Sequence, residues 1–367
     1  MLAASLPTVG VEEEFLLVDR RTGVPSAASP VVLKRAREML GDRIGAELFA
    51  DMVETRTRPT DDLDALGREL AELRTAVAEA AAEVDCLAVP SGTAPVPAPH
   101  GPELTEGERY QRIAAELGPL LTGAGGAGTC GCHIHLGVPD RGRAVRLGWR
   151  LRPWLPVLQA MAANSPFHLG KDTGYASWRT MRWAQMPGVG PLPYFADAAE
   201  YDRLVDQLVA TGELLDRRMV YWHCRPNEYW PTLEVRVADV CDEPETVLLL
   251  TALLRALTAV LIAEEERGVP ALTMAEPLLR AAHWRAARDG LAGRGVDPVD
   301  GRLRPARELV ERLLDKLDPV LAATGDRARV RGLWSRLQAS GGGAARQRAA
   351  FARRGELVDV VRDLALR

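Results

Sequence analysis

Residues 129–137 read TCGCHIHLG, placing two cysteines and two histidines within positions 130–135. That density raises the question of a bound metal ion. In an extended segment side chains alternate between faces, so Cys130, Cys132, Ile134 and Leu136 share one side and His133 and His135 the other. The cysteines thus belong with an apolar, core-facing set. A compact zinc site built from all four residues is not expected, because structural zinc sites draw on two well-separated ligand pairs. His133 and His135 remain as a polar strand face, open to two readings: metal ligands or hydrogen-bonded core histidines.

Carboxylates extend the pattern. In GVEEEFLLV, Glu12 and Glu14 share a face with Leu16 and Val18, while Val11, Glu13, Phe15 and Leu17 share the other. In TLEVRVAD, Thr232, Glu234 and Arg236 lie opposite Leu233, Val235 and Val237, and DMVETRT sets Glu54 and Arg56 on one face. Acids in the middle of apolar strands are costly to bury without positive charge nearby. Bound divalent metal relieves that cost: carboxylate oxygens suit Mg²⁺ or Mn²⁺, and imidazole nitrogen favours Mn²⁺. A strand turning its polar face to water explains any one of these patterns; several such strands together weaken that explanation.

The elements that must carry these residues are strands and helices mixed along the whole chain. TVGVEEEFLLVD (8–19) reads as a strand, RRTGVPSAASP as a turn region, and a helix follows from Val31 to Leu40. ELFADMVETRTRP (47–59) suits an extended piece stopping at Pro59. The next segment opens with cap residues and sets Leu63, Leu66, Leu70, Leu73 and Val77 on one helical stripe. A short strand from Cys86 leads into a proline-rich loop too long for a simple connector and placed to border a site. A helix over 106–117 then runs through GAGGAG into the histidine strand. Residues 144–165 read as helical despite their prolines. PFHLGKDTGYASWRTMRWAQMPGVGPLPYF, rich in aromatic, glycine and basic residues, is a loop of the kind that carries substrate contacts. Helices over 198–217, most of 244–290 and 305–338, a strand over 231–240 and a basic helical tail complete the pattern. With no repeat and no linker, residues 1–367 read as one domain.

Composition sets limits. The 367 residues are 47% hydrophobic and 26% charged, with formal net charge −4, so nothing electrostatic points to nucleic acid. No apolar run approaches the roughly 20 residues that cross a bilayer. The opening MLAASLPTVG lacks a basic or apolar signal segment, so a cytoplasmic location and no membrane partner are expected. Five cysteines do not form a disulfide framework.

The ordered set GVEEEF, VETRT, GCHIHLGV, ANSPF with DTGYASWR, RPN and TLEVRVAD resembles the glutamate–cysteine ligase type 2 group, specifically the bacterial YbdK-like carboxylate–amine ligases. The resemblance runs from about residue 8 to 260 and more weakly beyond. It implies an α+β, glutamine-synthetase-like fold, in which a curved, mainly antiparallel sheet forms a funnel surrounded by helices. ATP and Mg²⁺ (or Mn²⁺) are the expected cofactors, small-molecule carboxylates and amines the substrates, and a homodimer the assembly. Carried over, it makes Glu12, Glu14, Glu54, His133 and Glu234 metal ligands. Arg236 would contact the transferred phosphoryl group, and Arg179 and Arg225 would bind anions of nucleotide or substrate. Arg236 and Glu54 stand nearest the chemistry. Glu47 takes the approximate place of another family carboxylate, yet it lies seven residues before Glu54, and an unbroken strand would set the two on opposite faces.

The implied reaction is amide formation through an acyl phosphate, with weak glutamate–cysteine ligase activity as one form of it. No protein nucleophile is needed, and Cys130 and Cys132 read as packing residues. Two departures from the family pattern bear on substrate choice. GTAP at 92–95 replaces the usual GTHP, and YWHC replaces WWDI before RP, putting Ala94 and His223 where a histidine and an acid are customary, near the expected pocket mouth. A metal-dependent hydrolase using the HIH strand and a non-catalytic nucleotide-binding relative are the alternatives.

Overall fold

A computed structural model describes residues 6–99, 101–122 and 128–367. Residues 1–5 and most of the GAGGAG break lie outside them. The strands are β1 Val9–Asp19, β2 Ile44–Ala46, β3 Met52–Arg56, β4 Cys86–Val89, β5 Gly131–Gly137, β6 Phe167–His168, β7 Lys171–Asp172, β8 Cys224–Pro226, β9 Thr232–Asp239, β10 Arg294–Val296 and β11 Leu303–Pro305. Seven of them form one sheet in the order β2-β3-β1-β5-β9-β8, with β4 also on β1. Every pairing in it is antiparallel. β1 is the spine: its middle pairs with β3, its first half with β5 and its end with β4.

One face of this open sheet is packed by helices. The stripe foreseen for Leu63–Ala82 is buried at Leu63, Leu66, Leu70, Leu73 and Val77, and Asp62 caps the helix by accepting from the backbone of Asp64 and Ala65. Fully burying a leucine contributes about 1.5–3 kcal/mol, so this stripe alone ties the helix down. Beside it runs Pro244–Glu266, packed on β5. This helix is long and apolar enough to cross a membrane, with mean hydropathy 2.2, which corrects the expectation that no such run exists. In the fold 83% of that window is buried, so the apolarity serves the core.

Other boundaries shift for local reasons. The helix expected over 144–165 is two, Arg141–Leu151 and Leu155–Met161, broken around Pro153. The one expected over 305–338 is Ala306–Thr324 and Arg327–Ser340, separated at Gly325, whose φ of 80° is a left-handed helix end. Ala198–Thr211 likewise stops at Gly212. The piece expected to be extended from Glu47 is interrupted by a turn, with Met52 N donating to Phe49 O at 3.1 Å.

Candidate functional site

Strand register gathers the polar side chains on the sheet face away from those helices. Glu12 is the cross-strand partner of His133, Glu14 of Glu54, and His135 of Glu234; paired residues project to the same side. Between Cys132 and Ile134 the β5–β9 register slips, an extra residue on β9 of the kind common beside active sites. Three groups of candidate ligand atoms result, each within 4.8 Å of one another: Glu12, Glu54 and His133; Glu12, His135 and Glu234; Glu14, Glu47 and Glu54. All of them but His135 line a cavity of about 410 Å³ together with Arg56, Arg179, Arg182, Trp183, Arg225 and Arg236.

The charge balance is uneven. Burial and the neighbouring Glu14 charge push Glu47 up to about 8. Burial, then Glu12 and Glu47, raise Glu54 well above the carboxylate range despite Arg56, whose Nη2 donates to its Oε2 at 2.9 Å. Burial also acts on Glu12, but hydrogen bonds and charge from His133 and His135 overcome it and hold the group low. For Glu234, Arg236 and Arg225 overcome burial in the same way. His133 is lowered by burial and by Arg236; in His135, Glu12 outweighs burial and raises it. The Nε2 atoms of both histidines are buried and face carboxylates at ion-pair range, that of His133 3.7 Å from Glu14 Oε1 and that of His135 3.5 Å from Glu12 Oε1. Buried imidazole nitrogens facing crowded carboxylates are a donor set that fits Mg²⁺ or Mn²⁺.

Arg225 and Arg236 grip Glu234. Arg225 donates from Nε to Oε2 at 3.0 Å and from Nη2 to Oε1 at 3.3 Å, while its Nη1 reaches the carbonyls of Arg218 and Val220 at 2.7 and 2.6 Å. Asn227 Nδ2 adds a second donor to Oε2 at 2.9 Å, and Arg236 Nη1 bonds Oε1. Arg236 is 9% exposed and Arg179 3%, so neither is a surface ion pair.

Arg179 is set from behind by Asp239, at the end of β9. The buried Asp239 carboxylate accepts from Ser165 Oγ at 2.7 Å, Ser177 Oγ at 2.8 Å and Asn164 N at 2.8 Å, and Ser165 Oγ in turn accepts from Arg179 N at 3.0 Å. Ser177 caps the helix Trp178–Trp183. Two glycines leave the room this requires. A Cβ on Gly92 would lie 2.9 Å from the Asp239 carboxyl carbon, and one on Gly131 2.3 Å from Arg179 Nη2.

A family model described as glutamate–cysteine ligase family 2 matches residues 8–363. The chain belongs to that family. Among members of glutamate–cysteine ligase family 2, it is 45% identical over 362 residues to a protein of Nocardia farcinica provisionally named glutamate–cysteine ligase 2-1, spanning 98% of this chain and 92% of that one. A Salinispora tropica protein, provisionally named glutamate–cysteine ligase 2, is 44% identical over 348 residues, 95% of this chain and 91% of its own. The solved glutamate–cysteine ligase of Francisella tularensis, in complex with AMP, superposes with TM-score 0.72 at 13% identity over 98% of this chain and 88% of that one. A bifunctional glutathione synthetase from Pasteurella multocida gives 0.71 at 14% identity over 98% and 52%. At such identities the likeness is one of fold, the glutamine-synthetase-like fold expected.

In this family 2 member all five sequence-derived ligand candidates, Glu12, Glu14, Glu54, His133 and Glu234, line the one cavity, as do Arg179, Arg225 and Arg236. Glu47 joins them, correcting the opposite-face expectation: the turn after it breaks the strand and returns it to Glu54. His135, on the same alternating face, was visible in the sequence but joins Glu12 and Glu234 only through register. Asp239 went unrecognised because Ser165 and Ser177 lie far away in the chain. Neither Ala94 nor His223, expected near the mouth, lines the cavity, whereas the end of the proline-rich loop borders it as expected, Thr105 donating from Oγ1 to Glu47 O at 2.5 Å and from N to Leu48 O at 3.0 Å. His223 instead meets the buried His283 edge-on, the rings 62° apart and Nδ1 3.1 Å from Nε2. Cys130 and Cys132 are fully buried.

Proposed function

We propose that this protein is an ATP-dependent carboxylate–amine ligase that activates an acid as its acyl phosphate, the whole chain acting as one catalytic domain. The observation that carries the reading is the convergence of Glu12, Glu14, Glu47, Glu54 and Glu234 with the buried imidazole nitrogens of His133 and His135, beside buried Arg236. Glu14, Glu47 and Glu54 would hold one Mg²⁺ or Mn²⁺, and Glu12, Glu234 and the two histidines another. Metal in these positions supplies positive charge against the phosphates of ATP.

The chain's own residues orient and stabilise. Arg225 and Asn227 fix Glu234, Glu234 aims Arg236, and Arg236 offsets the negative charge that develops as the substrate carboxylate attacks the γ-phosphate and ADP leaves. The amine then attacks the acyl carbon, phosphate departs, and the amine loses a proton as the amide forms. Asp239 holds Arg179 at the rim of the same cavity. The relatives' names make glutamate the first acid and cysteine the first amine to test. A cytoplasmic homodimer completes the reading.

The deciding experiment supplies ATP, Mg²⁺, hydroxylamine and a panel of acids beginning with glutamate. Hydroxamate formation that needs ATP, metal and acid together is the expected result. Ester or amide hydrolysis without ATP would favour a metal hydrolase, and nucleotide binding without turnover a non-catalytic relative.

A further inference from the structure

Asp239 ends a longer hydrogen-bonded chain, and chemistry fixes the direction of every bond in it. A carboxylate only accepts, so Ser177 Oγ gives its one proton to Asp239 Oδ1 at 2.8 Å. Thr180 must then be the donor in the 2.9 Å contact between its Oγ1 and Ser177 Oγ. Thr180 Oγ1 lies 3.3 Å from Gln159 Nε2, which also donates to His283 O at 3.0 Å. A carbonyl cannot donate, so that Gln159 atom is the amide nitrogen, and Gln159 Oε1 accepts the proton of His283 Nδ1 at 2.6 Å. The His283 tautomer is thereby set, leaving its Nε2 to accept from His223 Nδ1 at 3.1 Å. Burial holds both imidazoles neutral, pushing His223 down to about 3 and His283 well below its ordinary value, with the Arg280 charge acting in the same direction on each.

The donors thus run one way, from His223 to Asp239, and both ends of the chain meet a cavity arginine. At the head, His223 O accepts from Arg236 N at 2.9 Å. At the tail, Asp239 holds the hydroxyls of Ser165 and Ser177, which accept from Arg179 N at 3.0 Å and Thr180 N at 3.2 Å. The guanidinium groups of these two arginines stand 5.6 and 5.8 Å from the centroid of one ring, Trp183. Gln159, His283, Ser177 and Asp239 are all buried, and a buried polar chain satisfied at each link rigidifies what it joins. We propose that His283, Gln159 and Thr180, none of which lines the cavity, are positioning residues: they clamp the helix Trp178–Trp183 against β9 and so set the separation of Arg179 and Arg236 for phosphoryl transfer. The functional part of this rests on the ligase reading; the clamp itself does not.

Thr180→Val removes the hydroxyl at nearly constant volume, and Thr180→Ser keeps it. Thr180→Val should lower kcat for ATP-dependent hydroxamate formation about 10- to 100-fold, the loss that a small misplacement of a group acting on the transition state brings, while the unfolding temperature falls by only a few degrees. Thr180→Ser should recover most of the rate. His283→Phe cuts the same chain at another link, so its combination with Thr180→Val should be no slower than the slower single variant. Near-normal kcat in Thr180→Val, or losses that multiply in the double variant, would overturn the proposal. If His283→Phe does not fold, the two Thr180 variants decide alone. Nitrogen-15 NMR of the intact protein reads the clamp without turnover. The Nε–H resonances of Arg179 and Arg236 should move in Thr180→Val and return in Thr180→Ser, and His283 should carry its proton at Nδ1 only. Unmoved arginine resonances, or a proton on His283 Nε2, overturn the clamp. If wild type forms no hydroxamate from any acid, the ligase reading fails, and these resonances still decide whether the chain positions the arginines.

Discussion

Glu12, Glu13 and Glu14 are consecutive on one strand, yet the two faces of the sheet treat them oppositely. On the helix side Glu13 meets Arg74 in a two-pronged pair at 3.1 and 2.6 Å, and Arg74 goes on to the carbonyls of Cys241 at 2.7 Å and Asp242 at 3.0 Å. Both side chains are buried, and each has its partner within the chain. On the cavity side Glu14, Glu47 and Glu54 crowd within 4.8 Å, and of the three only Glu54 has a guanidinium partner among the described residues, Arg56. An acid buried for architecture carries its counter-charge with it. A cluster of buried acids short of cations is shaped for a cation from outside.

The contrast can be broken first on its structural side. Arg74→Met strands the Glu13 carboxylate in the core and should cost about 3–5 kcal/mol in chemical denaturation, with metal affinity kept. A small stability loss accompanied by lost metal binding would place the pair in the site and erase the contrast.

On the cavity side, Arg236→Ala should lower ATP-dependent hydroxamate formation about 10²- to 10³-fold, as when a donor aimed at developing charge is removed. Because Arg236 is buried, this variant should also lose stability. Arg236→Lys, which keeps the charge but not the fork, should unfold closer to wild type and still turn over slowly. Near-normal turnover in the lysine variant would reduce Arg236 to a simple counter-charge for Glu234.

A smaller effect sharpens the comparison through pH. In metal-free protein Glu47 titrates at about 8 instead of 4.5, so its folded form binds the proton more tightly than the unfolded chain. Stability should therefore be greatest below 4.5 as far as this group is concerned, and should fall as pH rises through that window. Saturating Mg²⁺ favours the ionised cluster and should flatten the decline. Unfolding temperatures recorded across the window with and without Mg²⁺ check this; a metal-free protein that gains stability over the same range would contradict it.

Much of this site was legible in strand alternation, which separated Cys130 and Cys132 from His133 and His135 and Glu13 from its neighbours. Period two is local, so it survives without knowledge of the fold. What the sequence hid depends on pairing between distant segments. The turn that returns Glu47 to Glu54, the register slip opposite His133, and the Ser165 and Ser177 hydroxyls that meet Asp239 are set by tertiary contacts. The helix Pro244–Glu266 shows the same limit from the other side: its composition suits a bilayer span, against the expectation that no such run exists, and only the packing reveals that it is a core element.

The most direct measurement is a calorimetric titration of Mn²⁺ into metal-free wild type and Glu54→Gln at neutral pH. Saturable binding with proton release, weakened at least about tenfold in Glu54→Gln, is the predicted result. Absence of binding to wild type up to millimolar Mn²⁺, or equal affinity in the variant, would contradict the claim that the crowded carboxylate face is built for divalent metal.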